Sequence, residues 1–81
     1  MNARVKMPDA LKGLLRSELD KAIYEAALCR EDEIIARRYL IEKIPQIDIA
    51  AELGYERSTI SRRLPYIIES VTFTAKKLNI T

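Results

Sequence analysis

Apolar residues recur at intervals of three and four along most of this chain, which is the spacing of helices; no stretch reads as a strand. Pro8 and Asp9 open a long first helix in which Leu11, Leu15, Leu19, Ala22 and Ala26 follow at helical spacing to about Leu28. Its opposite face holds Lys12, Arg16, Asp20 and Tyr24. A second helix, about Glu31 to Glu42, carries Ile34, Ile35, Leu40 and Ile41, with Glu31, Asp32 and Glu33 in the first turn, where the helix dipole favours acids. Pro45 has no amide hydrogen and so starts or immediately precedes the next helix. There Ile49, Ala50 and Leu53 form one apolar edge, Gly54 sits where the chain must turn with positive φ, and Tyr55, Ile60 and Leu64 are the apolar residues beyond the turn. Pro65 cannot donate to the carbonyl of Ser61 and its ring crowds that turn, so this helix is expected to end near Leu64 or to kink there. A C-terminal helix within 65–79 then turns Ile67, Ile68, Val71, Ala75 and Leu78 to one side and Tyr66 and Phe73, with Ser70 and Lys77, to another. The expected fold is all-α, a single domain of four to five helices with helix, glycine turn and helix over 46–64 at its centre and a flexible arm over 1–7.

Composition narrows the class. With 81 residues the chain can build one modest core, near the size at which self-association becomes a reasonable default. A single cysteine, Cys29, cannot make an internal disulfide and reads as a small residue at a helix junction. Histidine is absent, which removes the commonest metal ligand and general base. There is no metal-ligand cluster and no glycine-rich phosphate loop, so no enzyme and no cofactor are expected. No apolar run approaches the ~20 residues of a membrane span and no signal-peptide core is seen, so the expected location is the cytoplasm, away from any membrane.

Net charge is only +2, and its distribution says more than its size. Arg57, Arg62 and Arg63 fall within one short helix with no acid between them, a local basic stripe of the kind that suits a groove-binding helix. With Ile60 and Leu64 turned inward, Ser58 and Arg62 point outward, Thr59 and Ser61 flank them, and Arg57 stands at the leading tip. Two short helices held at a steep angle are how a small protein sets one helix in the DNA major groove. Ala50 suits that geometry, because a small side chain lets the second helix cross close to the first.

Ile49, Ala50, Leu53, Gly54 and the block Ser58-Thr59-Ile60-Ser61-Arg62-Arg63-Leu64 resemble a bacterial or phage helix-turn-helix. The segment from Leu28 through Arg38-Tyr39-Leu40 is similar to the part of sigma-70 region 4 that precedes that motif. The resemblance implies sequence-specific binding of double-stranded DNA by a small transcription regulator. On that reading Arg57 and Arg62 are candidates for bidentate contacts to guanine, Ser58 and Ser61 for adaptable base or phosphate contacts, and Arg63, Thr59 and Gln46 for backbone anchoring. Arg4 and Lys6 on the arm are either free to touch phosphate or part of a disordered, tag-like end. Arg38 falls inside an apolar stripe, so either its stem is buried with its head reaching an acid or the surface, or it is aimed at the DNA backbone.

The leftover Tyr66 and Phe73 edge predicts a homodimer through the C-terminal helix. Two other roles use the same motif. One is a phage DNA-packaging or other assembly subunit, and the other a sigma-like module that docks on RNA polymerase and reads DNA in its company.

Overall fold

Gly13 interrupts what the apolar spacing predicts as one long first helix. The computed structural model describes residues 9–79, with side chains from Leu11 to Asn79, and the arm over 1–7 with Arg4 and Lys6 lies outside them. In place of a helix to Leu28 there are a single turn, α1 (Asp9–Lys12), and a separate α2 (Arg16–Glu25). Gly13 has the poorest helix propensity after proline, and Leu11 is already buried at the end of α1. Leu15, expected in the apolar stripe, is instead the extended cap of α2 and 66% exposed. Its amide donates to Glu18 Oε1 at 2.8 Å, satisfying one of the orphan donors of the α2 amino end. Leu19, Ala22 and Ile23 form the buried face of α2, which stops at Ala26 and Ala27, the latter with φ of 54°.

The second predicted helix is present but irregular. α3 (Arg30–Ala36) passes directly into a five-residue π-helical segment, Arg37–Ile41, closed by a bond from the Glu42 amide to the Arg37 carbonyl at 3.1 Å. A π turn holds more residues per turn than an α turn, so it shifts the register of side chains along the helix. Here Leu40 is buried while Arg37 reaches Asp20 on α2 and Glu33 one turn back, and Arg38 reaches the opposite way. Pro45 is the extended cap before α4 (Gln46–Leu53), which buries Ile49 and Ala50.

The largest departure from expectation lies at Pro65. The helix does not stop there: α5 (Arg57–Lys77) runs for 21 residues through the proline, so the helix expected after the glycine turn and the expected C-terminal helix are one element. Pro65 is exposed, which puts the Ser61 carbonyl that lacks its usual amide donor on the outer side of the helix. The inner side is continuously apolar, with Ile60, Leu64, Ile67, Ile68, Val71 and Ala75 all buried. α5 packs against α1, α2, α3 and α4, so burial along its whole length holds the proline within it.

The core is aliphatic. Ile23, Ile35, Leu40, Ile49, Ile60, Leu64, Ile67 and Val71 are fully buried, and among the described residues no polar or charged side chain is buried with them. No strand occurs among the described residues, and the domain is all-α. No helix among them is long and apolar enough to cross a membrane.

Candidate nucleic-acid interface

α4 and α5 are joined by a turn whose geometry depends on one residue. Gly54 closes α4 in the left-handed region, with φ of 78° and ψ of 25°. The Tyr55 amide donates back to the Ala50 carbonyl at 2.8 Å, the wrapped bond of a glycine-ended helix. An added Cβ at Gly54 would meet nothing within 4 Å, so glycine is needed for its backbone angles and not for space. Glu56 caps α5 in extended conformation without a side-chain bond to the helix amides. Ala50, 2% exposed, and Ile60 and Leu64, fully buried, belong to the shared core where the two helices meet.

Six of the seven residues predicted to touch DNA fall into two groups, and Thr59 stands apart from both. Arg57, Ser58 and Arg62 are exposed at the amino end of α5, and no side-chain partner engages any of them among the described residues. Gln46, Ser61 and Arg63 are engaged within the protein. The Ser61 hydroxyl donates to Gln46 Oε1 at 2.5 Å, which fastens the first turn of α4 to the second turn of α5. Thr59 is half-buried, its amide bonded to the Glu56 carbonyl at 3.0 Å, so it belongs to the start of the helix more than to its open face.

Arg63 is the residue whose surroundings differ most from expectation. Its Nη1 lies 3.3 Å from both Glu31 Oε1 and Asp32 Oδ1 in the first turn of α3, and its guanidinium stacks 5.4 Å from the centroid of the Tyr55 ring. Glu31 is held below the ordinary carboxylate range, first by a hydrogen bond from Tyr55 and then by one from Arg63. The Tyr55 hydroxyl is correspondingly raised, chiefly by its bond to Glu31. A turn residue, a residue of α5 and the first turn of α3 are thus locked together, and the charge of Arg63 is met within the domain.

Arg38 is settled in the same way. Its Nη2 meets Glu52 Oε2 and its Nη1 meets Glu42 Oε2, each at 2.8 Å, so of the two readings of this arginine the protein acid is the one realised. Glu52 lies on α4, and pairing it removes a negative charge from the surface next to the turn. Sequence reasoning missed the Tyr55–Glu31–Asp32 lock, whose members are separated by more than twenty residues, and it missed Lys43. That lysine is exposed, unpaired among the described residues, and left-handed with φ of 59°, on the approach to α4. The neighbouring Pro45 was the only local hint of a turn there.

No family model matches this chain, and neither does any curated protein or solved structure.

Proposed function

We propose that this chain is a sequence-specific double-stranded DNA-binding protein, of the small prokaryotic or phage regulator kind, with the first two turns of α5 in the major groove. One observation carries the reading. The fold neutralises Arg37, Arg38 and Arg63 with its own acids but leaves Arg57 and Arg62 open beside a left-handed glycine turn. An unpaired guanidinium at the rim of a helix-turn-helix is free to form a bidentate contact with guanine O6 and N7. A paired one would first have to give up its acids.

Each role is set by position. Arg62 and Ser58, on the outer face of the first two turns, read base edges. Arg57 at the tip reads a base or clamps the flanking phosphate. Lys43 adds a phosphate contact from the approach to α4. Gln46, Ser61 and Arg63 hold the two helices at the required angle. Glu56 and Asp48 are exposed acids in the same region, and they lower non-specific attraction to the phosphates.

Selection of bound sequences from a random duplex pool with the purified chain tests this directly. The expected result is an enriched sequence containing guanine, bound with an affinity that falls as salt rises. No enrichment and no duplex binding by the chain alone would overturn it. Binding that appears only with RNA polymerase present would replace it with the docking role.

A further inference from the structure

Beyond Arg62, the outer face of α5 continues into a pattern that the groove reading does not use. Arg62, Tyr66, Glu69, Phe73 and Lys76 are all exposed, and they follow one another at four, three, four and three residues. That is a heptad seam, a single stripe along one side of the helix. Its aromatic positions are Tyr66, 74% exposed, and Phe73, 64% exposed, the two aromatics of the helix. Its charged positions read plus, minus, plus, and Arg62, Glu69 and Lys76 have no ion pair among the described residues. Lys77 lies 5.9 Å from the Phe73 ring centroid and covers only part of that ring.

We infer that the part of this seam from Tyr66 to Lys76 packs against the same part in a second copy, with the two α5 helices antiparallel and centred at the level of Val71. The charges select that arrangement. A parallel pair in register would set Glu69 on the partner's Glu69, Lys76 on the partner's Lys76 and Arg62 on the partner's Arg62, all repulsive. In the antiparallel pair Glu69 lies beside the partner's Phe73 and within one turn of the partner's Lys76, and Tyr66 lies beside the partner's Lys76, with a cation over its ring. Every such contact occurs twice by symmetry.

This register keeps Ser58 and Arg62 outside the overlap. With a rise of 1.5 Å per residue, the middles of the two recognition segments stand about 31 Å apart. Half-sites one turn apart on a duplex are separated by about 34 Å. The pairing therefore extends the proposed DNA reading to two half-sites and, as far as the spacing is concerned, rests on it. The interface is small. Burying four rings of this exposure removes roughly 550 Å², well below the about 1,200 Å² of a stable interface. The pair forms at high concentration, or where a duplex holds two copies side by side.

Sedimentation equilibrium of the full chain across a wide concentration range tests the pairing without DNA. The variants are Glu69→Lys and the double exchange Glu69→Lys with Lys76→Glu, each checked for unchanged helicity. The wild type is expected to dimerise as concentration rises. Glu69→Lys should weaken the dimer about tenfold, since two attractive pairs become repulsive, and the double exchange should restore it. A wild type that stays monomeric at millimolar concentration would leave the seam to some other protein and overturn the proposal. So would a Glu69→Lys variant that dimerises as before, or a double exchange that does not recover. Footprinting on the selected duplex separates this from the DNA reading. One protected half-site and no dimer removes the pairing alone, whereas a charge-dependent dimer that binds no duplex keeps the pairing and removes the DNA reading.

Discussion

Arg62 and Arg63 are neighbours in sequence, but about 100° of rotation around α5 separates their side chains and gives them different work. Arg62 faces outward and is unpaired among the described residues, whereas Arg63 turns back to Glu31, Asp32 and Tyr55. In chemical denaturation Arg63→Ala is expected to lower stability by about 0.5–1 kcal/mol, the range of a partly exposed ion pair with a stacked ring, while Arg62→Ala stays within about 0.5 kcal/mol of wild type. The lock also predicts a pH dependence. Glu31 titrates below its ordinary value of 4.5 in the folded state, so its stabilising contribution is complete above that value and disappears as pH falls through the lower folded one. An acid titration of stability from pH 6 downward should show Tyr55→Phe losing less than wild type, because the bond that lowers Glu31 is already gone. At the turn, Gly54→Ala should cost about 1 kcal/mol from the left-handed backbone alone, since the side chain has room. An unchanged melting temperature would contradict that account. The glycine was readable from sequence because its reason is local. The partners of Arg63 were not, because they lie on another helix and nothing in residues 57–64 points to them.

At the scale of elements, the inward faces were legible and the boundaries were not. Ile49, Ala50, Ile60, Leu64, Ile67 and Val71 all lie where their spacing puts them, because apolar period reports burial directly. Pro65 and Gly13 misled in opposite directions. A proline argues locally for a break, yet continuous burial on both sides of it outweighs one missing hydrogen bond. A glycine argues only weakly, yet α1 has a single turn and little to lose by ending. On these grounds Pro65→Ala should stabilise the domain by about 1–3 kcal/mol in thermal or urea melts, because the Ser61 carbonyl regains its donor. A neutral or destabilising result would mean that α5 needs the local geometry the proline imposes. The π segment was invisible because the extra residue in its turn leaves no compositional trace. Arg37 and Arg38 at its start reach different neighbours, Asp20 on α2 and Glu52 on α4.

For the molecule as a whole, what matters is how charge is divided. Six acids, Asp20, Glu31, Asp32, Glu33, Glu42 and Glu52, are engaged by three arginines, and the cations left open on the helix-turn-helix surface are Arg57 and Arg62, with Lys43 on its approach. A nearly neutral protein can therefore offer a basic tip without a strongly basic surface, which on the proposed reading would favour specific over non-specific duplex contact. The most direct test of that division compares wild type, Arg62→Ala and Arg63→Ala for binding to the selected duplex and to a scrambled one, at one salt concentration and with folding verified. Arg62→Ala is predicted to lose on the order of 1–3 kcal/mol on the selected duplex and little on the scrambled one, while Arg63→Ala keeps the wild-type ratio between the two. Equal losses on both duplexes for Arg62→Ala, or a greater loss of discrimination for Arg63→Ala, would contradict the account.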